Sequence, residues 1–281
     1  MIHVKQLCFS YTKHPWIQNM DFDVLPGEIF GFLGPSGAGK STLQKILTGL
    51  LPNFSGSVSV NGTEIGRHTG RFYESIGVDF EYPSLYEKLT ARENLRFFAS
   101  LYPTHRDIDA LLLSVGLFND ADKKVADFSK GMKSRLSFIK ALMHDPSVLF
   151  LDEPTSGLDP SNARVMKNLI RDEKEKGKTV ILTTHNMYDA TELCDRVAFI
   201  VDGTIRALDT PHNLMMRRGA GAISYTYSEN GREIRAKVPL SGTGEDEMLL
   251  CLIRENRLMS IHSCEPTLND IFVELTGRRL Q

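Results

Sequence analysis

The chain has 281 residues, of which 41% are hydrophobic and 24% are charged, as in ordinary folded proteins. This composition excludes a disordered chain and a fibrous repeat. The 33 lysines and arginines nearly balance the 35 aspartates and glutamates, so the net charge of -2 provides no basic surplus for binding nucleic acid.

Short apolar runs bounded by turn residues predict strands, several of them separated by segments with helical periodicity. This alternation favours an α/β fold whose sheet contains parallel strands. The predicted strands are residues 2–9, 29–33, 57–60, 148–151, 179–183 and 196–201. Asn61-Gly62 and Asp202-Gly203 have the form of tight turns at strand ends, which predicts an added antiparallel edge sheet.

Two segments differ in character from this alternating pattern. Residues 83–146 carry helical periodicity at 90–101, 108–115 and 134–144, which predicts a helical subdomain inserted into the sheet domain. From residue 211 onward, the sequence predicts a hairpin over 219–240 and a final helix that ends at Gly277. We therefore expect a domain over residues 1–210 and a small α+β extension over 211–281.

The pattern GxxxxGK[ST] occurs between the predicted strand 29–33 and a helix predicted over 42–50, the context in which it binds phosphates. Glycines let backbone N–H groups turn toward an anion, and the helix N-terminus adds its positive dipole end. We expect Lys40 to neutralise phosphate charge and Ser41 to ligate Mg2+. The candidate nucleotide-binding residues here are Gly34, Pro35, Ser36, Gly37, Ala38, Gly39, Lys40, Ser41 and Thr42. By itself, this loop indicates a nucleoside triphosphate, and the alternative is a strand-to-helix turn without a ligand.

Two carboxylates, Asp152 and Glu153, follow the predicted strand 148–151. Their position predicts that they lie at the carboxyl edge of the sheet, where sites form in open α/β folds. Asp152 is suited to holding Mg2+, and Glu153 to accepting a proton from an attacking water. A surface acidic pair at a strand end is the alternative.

Together with these motifs, the sequences after Glu153 resemble those of the ATP-binding-cassette (ABC) family of transporter subunits. Residues 156–160, Ser-Gly-Leu-Asp-Pro, are similar to the family's D-loop, and Thr183-Thr184-His185 is similar to its switch histidine. The resemblance extends from residue 2 to about residue 209. It implies a P-loop ATPase core that binds ATP and Mg2+.

The resemblance also implies roles for individual side chains. His185 would contact the γ-phosphate and hold the attacking water with Glu153, and Asp159 would belong to the nucleotide site. Tyr11 resembles the family's aromatic residue that stacks on adenine. Packing at a strand end is the alternative for Tyr11, and Trp16 is a weaker candidate for the stacking role.

Two segments depart from the family's pattern. Residues 128–133 occupy the place of the LSGGQ signature, where Ser129 and Gly131 match but Lys130 and Met132 do not. Lys130 either adds positive charge toward a phosphate or points to solvent. Glu81 occupies the position of the Q-loop glutamine, and it either ligates Mg2+ or lies outside the coordination sphere.

In this family the signature completes the nucleotide site of the other subunit, so the resemblance implies an ATP-dependent dimer, with Ser129 facing Lys40 of the partner copy. No segment predicts a transmembrane helix, so a separate membrane permease and a position at the cytoplasmic face of the membrane are implied. The candidate permease contacts are Tyr82, Pro83, Leu85 and Tyr86, which could equally pack the subdomain core.

Residues 265–277 resemble the C-terminal ending of prokaryotic drug and polyketide exporters, which favours export over uptake. One alternative function is a soluble cassette ATPase that acts on a ribosome or a nucleic-acid complex, and another is a P-loop kinase. The near-neutral chain argues against the former, because nucleic-acid partners favour basic surfaces. A kinase would explain Lys40 but not Ser129, Asp159 and His185 in series.

Overall fold

The computed structural model describes residues 2–12, 14–67, 69–82, 84–216, 221–229 and 231–277. The chain divides into two compact units between Leu208 and Asp209. The described part of the chain contains no helix that is both long enough and apolar enough to cross a membrane.

Strands and helices alternate along much of the first unit, as the sequence predicts. Its strands are β1 (Ile2–Phe9), β2 (Ile17–Val24), β3 (Ile29–Leu33), β4 (Ser55–Val60), β5 (Thr63–Glu64), β6 (Ile76–Asp79), β7 (Val148–Asp152), β8 (Thr179–Thr184), β9 (Arg196–Val201) and β10 (Thr204–Asp209). Its α-helices are α1 (Lys40–Leu47), α2 (Gly70–Ser75), α3 (Ala91–Ala99), α4 (Ile108–Ser114), α5 (Lys130–Leu142), α6 (Pro160–Glu175) and α7 (Met187–Leu193). Short 3-10 turns occupy Phe118–Asp120 and Val125–Asp127.

The main sheet has six strands in the order β10-β9-β3-β8-β7-β6. β3 pairs in parallel with β8 and β9, and β7 pairs in parallel with β8 and β6. Every residue of β3 and of β8 is buried, because these two strands lie inside a parallel sheet that is covered on both faces. The parallel pairing therefore brings the carboxyl ends of β3, β7 and β8 to one edge, as the sequence predicts.

The antiparallel edge sheet has the order β2-β1-β4-β5. Asn61 (φ 50°) and Gly62 (φ 77°) form the tight turn between β4 and β5, which confirms that prediction. β2 is a strand that the sequence reading missed. Its core-facing residues are Ile17, Met20, Phe22 and Val24, and the uneven first interval, at Asn19 (φ 45°), hides the alternating pattern.

Helices α3, α4 and α5 lie within the predicted helical segment 83–146, whose first residue, Pro83, is outside the described residues. The prediction that the helix after the signature begins near residue 134 is wrong. α5 begins at Lys130, because the Ser129 hydroxyl accepts the backbone N–H of Met132 at 3.2 Å and caps the helix. Ser129 is thus a helix cap rather than part of a preceding loop.

The second unit contains a three-stranded antiparallel sheet in the order β12-β11-β13. Its elements are α8 (Pro211–Met216), β11 (Ala222–Glu229), β12 (Arg232–Pro239), a 3-10 turn (Leu240–Gly242), α9 (Glu247–Arg254), β13 (Leu258–Cys264) and α10 (Leu268–Thr276). The predicted hairpin is confirmed as β11 and β12, although Gly219, Ala220 and Asn230 of that segment are outside the described residues. Gly277, at φ 64°, ends α10 as expected.

A buried carboxyl group lies where β6 meets α5. Asp79, the last residue of β6, is opposite Leu151 of β7 and accepts a 2.5 Å hydrogen bond from the Ser137 hydroxyl of α5. Burial raises the pKa of Asp79 to about 6, against the opposing effects of Ser137 and Lys140. The folded protein therefore holds this proton more tightly than the unfolded chain does.

The sign of this difference predicts how stability depends on pH. Because the ordinary pKa of 3.8 is lower than the folded value of about 6, ionisation of Asp79 costs stability as pH rises through this interval. Asp79→Asn keeps an acceptor for Ser137 and cannot ionise. It should raise the free energy of unfolding at pH 7.5 by up to about 3 kcal/mol, and change it little at pH 4.

Urea unfolding at both pH values measures the effect of Asp79→Asn. The exposed Asp172 on α6 provides a matched control, because Asp172→Asn also removes one carboxylate but leaves no buried partner. Equal changes at the two pH values, or destabilisation by Asp79→Asn at pH 7.5, would contradict the assigned pKa shift.

Candidate functional site

A cleft of about 280 Å³ opens at the carboxyl edge of the main sheet. It joins the loop after β3, the segment after β6 and the residues that follow β7 and β8. The residues that line it are Trp16, Ser36, Gly37, Gly39, Lys40, Ser41, Thr42, Glu81, Glu153 and His185. The structure thus brings together most of the side chains that the sequence predicts for one half of a nucleotide site.

The phosphate loop between β3 and α1 requires glycine at two positions, Gly34 and Gly39. A Cβ atom at Gly34 would lie 2.2 Å from the carbonyl oxygen of Ile200, and Gly39 takes φ 105° just before the helix. Pro35, Ser36, Gly37 and Ala38 form the turn between these glycines.

Helix α1 begins at Lys40, two residues earlier than predicted. Lys40, Ser41 and Thr42 therefore form its first turn, where backbone N–H groups have no acceptor within the helix. This turn lines the cleft, and its N–H groups and positive dipole end are suited to an anion.

Lys40 is 7% exposed, and its ammonium group folds back into the phosphate loop. Its Nζ donates hydrogen bonds to the carbonyl oxygens of Gly34 at 2.7 Å and Pro35 at 3.2 Å. Burial lowers the pKa of Lys40, although the nearby carboxylates of Glu153, Asp152 and Glu81 raise it. A buried cation therefore lies where the loop would place a phosphate.

Glu153 and His185 form a hydrogen-bonded pair on the other side of the cleft. His185 Nδ1 lies 2.8 Å from Glu153 Oε1, and the Thr184 hydroxyl donates to Glu153 Oε2 at 3.2 Å. Glu153 has φ 51°, and its backbone N–H donates to the carbonyl oxygen of Thr183 at 2.9 Å. Hydrogen bonds thus fix the backbone and the carboxylate of Glu153. A carboxylate held in this way beside a histidine is suited to act as a general base.

The oxygen atoms of Ser41, Asp152 and Glu81 form a donor set suited to Mg2+, which prefers carboxylate and hydroxyl oxygens. Ser41 and Glu81 line the cleft, and Asp152 accepts a short hydrogen bond from the Thr183 hydroxyl on the adjacent strand. Both carboxylates lie close enough to Lys40 to influence its pKa. The residues present therefore fit a divalent cation at this end of the cleft.

The two aromatic candidates occupy different positions beside the phosphate loop. Trp16 lines the cleft, and its Nε1 lies 3.7 Å from the position of a Cβ on Gly39. Tyr11 is 53% exposed, and its hydroxyl lies 3.2 Å from the Thr42 hydroxyl. Their rings meet edge to face at 6.0 Å, so both contribute to one aromatic border of the site.

Ser129, Gly131 and Asp159 are not among the described residues that line this cleft. They lie near one another instead, around Asn162 of α6. A Cβ on Gly131 would lie 2.6 Å from Asn162 Cγ, and Asp159 accepts a 2.6 Å hydrogen bond from Asn162 Nδ2 while capping α6. The signature and the Ser-Gly-Leu-Asp loop therefore form a second surface on the same chain.

Lys130, the first residue of α5, connects the two parts of that second surface. Its Nζ lies 2.0 Å from the position that a Cβ on Gly157 would occupy. The ammonium therefore contacts Gly157, and the Cβ of any other residue at position 157 would clash with it. Gly157 has φ 63°, which independently favours glycine. The Lys130 side chain is exposed, in agreement with the solvent-facing alternative, but it also contacts Gly157.

Several polar side chains that are not among the predicted site residues support the site. Thr183 and Thr184 bind Asp152 and Glu153, and Asp189 accepts a hydrogen bond from the Thr155 hydroxyl at 2.7 Å. The hydroxyl residues just before His185 are a sequence signal for the first two contacts. Asp189 gives no such signal, because its partner is 34 positions away.

Comparisons with known proteins agree with the family resemblance seen in the sequence. The family model described as ABC transporter matches residues 17–156. A fluoroquinolone export ATP-binding protein of Mycobacterium tuberculosis is 49% identical over 284 residues, covering 100% of this chain and 94% of that protein. A linearmycin resistance ATP-binding protein of Bacillus subtilis is 33% identical and covers 100% of both chains. A solved structure of an ATP-binding subunit of an ABC transporter superposes with a TM-score of 0.70 at 29% identity, covering 77% of this chain and 92% of that one.

Proposed function

This chain belongs to the ABC transporter family as an ATP-binding ATPase, and from that premise we propose that it powers export of a drug-like or lipid-like compound through a separate permease. The observation that carries the ATPase part of this proposal is the Glu153–His185 pair, held at 2.8 Å in the same cleft as the phosphate loop. The direction of transport follows from the relatives, whose names describe fluoroquinolone export and linearmycin resistance.

In the proposed reaction, the cleft binds the triphosphate of ATP and aligns a water for attack on the γ-phosphate. The first turn of α1 donates N–H groups to the phosphates, and Lys40 offsets their negative charge. Glu153 accepts a proton from the attacking water, whose oxygen bonds to the γ-phosphorus as the bond to the bridging β-phosphate oxygen breaks and ADP leaves. His185 holds Glu153 through Nδ1 and contacts the γ-phosphate, while Tyr11 or Trp16 packs against the adenine.

Ser41, Asp152 and Glu81 would hold Mg2+. When bound, this ion offsets the negative charge of the phosphates. Glu81 is the unusual member, because an amide would bring no charge, whereas a carboxylate adds a negative charge beside the nucleotide. Glu81 thereby strengthens metal binding, and it makes nucleotide binding in the cleft depend more strongly on the metal.

The second surface on the same chain implies a composite site. Ser129, Gly131 and Asp159 lie outside the cleft but present a helix N-terminus, a hydroxyl and a capping carboxylate. In a two-fold dimer, each copy would offer this surface to the ATP held by the partner's phosphate loop. ATP then stabilises the closed dimer, and hydrolysis releases it.

Closure of such a dimer moves a compound only if it acts on a membrane protein. Tyr82 is 80% exposed and Tyr86 is 50% exposed, and the Tyr86 ring packs against Phe97 at 5.0 Å and Phe98 at 5.9 Å. We assign this aromatic surface, which follows Glu81 directly in sequence, to contact with the permease. The chain would then lie at the cytoplasmic face of the membrane.

The alternative of a ribosome-associated or nucleic-acid-associated ATPase has no supporting observation. The two relatives reported above, which each match the full length of this chain, are named for export and resistance. The net charge of -2 offers no surplus of cations for phosphate backbones.

Export can be tested in cells that express the cognate permease together with this chain or with its Glu153→Gln variant. Loss of the general base should lower ATP hydrolysis about 100- to 10,000-fold. Cells with Glu153→Gln should therefore accumulate a fluorescent fluoroquinolone to the level of cells that lack the chain. Equal accumulation with the active chain and with the variant, while the active chain hydrolyses ATP, would contradict export of this compound.

The composite site predicts ATP-dependent association of the Glu153→Gln protein. Blocked hydrolysis should trap the dimer in Mg-ATP, as measured by sedimentation velocity, and Ser129→Arg in the same chain should return it to monomer by placing a bulky side chain at the γ-phosphate. The exposed Ser114 at the end of α4 serves as a control site for the same substitution. A monomer that binds ATP but does not associate would refute a dimer formed by this chain alone.

Glu81→Gln tests the metal assignment. If the carboxylate contributes to holding Mg2+, the amide should raise the Mg2+ concentration that gives half-maximal ATPase activity. Glu87→Gln, which changes an exposed glutamate paired with Lys133, is the control. An unchanged Mg2+ dependence in Glu81→Gln would place Glu81 outside the coordination sphere.

A further inference from the structure

A buried carboxylate behind the Glu153–His185 pair joins three separate elements. Asp189 of α7 is 6% exposed and lies four residues after His185. Its Oδ2 accepts hydrogen bonds from the Thr155 hydroxyl at 2.7 Å and from Asn186 Nδ2 at 3.0 Å. Its Oδ1 lies 3.2 Å from Lys167 Nζ of α6. One side chain therefore ties the segment after β7, the start of α7 and the middle of α6.

These contacts close a ring that includes the proposed reacting groups. Thr155 is two residues after Glu153, and Asp189 is four residues after His185. The segments that contain them are joined at one end by the Glu153–His185 contact and at the other end by the Thr155–Asp189 hydrogen bond. With both ends joined, neither segment can shift along the other without breaking a hydrogen bond.

The link to α6 extends the ring toward the second surface. Lys167 bonds both Asp189 and Glu192 of α7. Burial alone would lower the pKa of Lys167, but hydrogen bonds to Glu192 and Asp189 raise it above its ordinary value, so the ammonium is charged. Asp159 caps the N-terminus of α6, so α6 and the contact of its Lys167 with Asp189 connect the Asp159 cap to the segment that contains His185.

We propose that Asp189 is a positioning residue for ATP hydrolysis, which fixes the segments after β7 and β8 so that His185 stays on Glu153. The inference rests on the roles proposed above for Glu153 and His185. Asp189 is shielded from the cleft, and it acts through the two segments that it joins. Its loss lowers the rate of hydrolysis more than it lowers the affinity for ATP, because the phosphate loop is on the other side of the cleft.

Thr155 provides the sharpest test, because its hydroxyl can be removed while Asp189 keeps its contacts with Asn186 and Lys167. Thr155→Val keeps the shape and loses the donor to Asp189, whereas Thr155→Ser restores the donor. Since misplacement of reacting groups by about 1 Å can cost 100-fold, we expect Thr155→Val to lower kcat by about 10- to 100-fold, and Thr155→Ser to retain most of it. Lys167→Met should also lower kcat, because it removes the link to α6.

The affinity for ATP is measured separately. Trp16 lines the cleft and is the chain's single tryptophan, so its fluorescence can follow nucleotide binding. The Kd for ATP should change less than about twofold in Thr155→Val, because uniform binding is preserved. Lys174→Ala is the matched control: Lys174 also lies on α6 and pairs with Asp195 at 2.5 Å, away from this ring, so kcat should remain unchanged.

A Glu153→Gln background distinguishes the possible outcomes. If Thr155 acts through Glu153, adding Thr155→Val to the Glu153→Gln protein should cause no further loss of ATPase activity. Retained kcat in Thr155→Val and Lys167→Met would overturn the positioning role while leaving the proposed function intact. Parallel losses of kcat, ATP affinity and melting temperature, unrestored by Thr155→Ser, would also overturn it in favour of a general structural role. Full hydrolysis by Glu153→Gln alone would instead overturn the proposed reaction.

Discussion

Parallel pairing of β8 with both β3 and β7 is the constraint on which the nucleotide site depends. Leu33 lies opposite Thr184, and Asp152 lies opposite Thr183, so the three strands end at the same level of the sheet. All residues of β8 are buried, and hydrophobic burial therefore holds this register. The phosphate loop, the two carboxylates and His185 meet because their strands cannot slip without exposing that core.

Charge balance in the cleft explains why it suits a nucleotide together with a metal ion. The carboxylates of Glu153, Asp152 and Glu81 lie close enough to Lys40 to act on its pKa, so they already oppose the positive charge of this buried ammonium. A triphosphate adds further negative charge, which Lys40 and the α1 dipole end offset only in part. In the proposed reaction, a divalent cation held by Ser41, Asp152 and Glu81 would supply the missing positive charge.

The two charged departures from the family's pattern have opposite signs and lie on different surfaces. Glu81 lines the cleft with the phosphate loop, whereas Lys130 lies at the N-terminus of α5 against Gly157. In the proposed two-fold dimer, each nucleotide site would combine the cleft of one copy with the second surface of its partner. Each site would therefore contain one Glu81 and one Lys130. The negative charge of Glu81 and the positive charge of Lys130 would then offset each other at the composite site, whereas each surface by itself carries only one of them.

The sequence by itself determined four of the six strands of the main sheet, β3, β7, β8 and β9, together with the phosphate loop and the positions of Asp152, Glu153 and His185 at the ends of strands. These features depend on short patterns: a buried apolar run, a glycine spacing and polar residues where a strand ends. Tertiary structure decided what depends on distant partners. It placed the start of α5 at Lys130, filled the space over Gly157, buried Asp79 against Ser137 and set Asp189 against Thr155 and Lys167. Packing of the whole fold decides which distant groups come within hydrogen-bonding distance of a polar side chain. The residues next to that side chain in sequence therefore do not predict its partner.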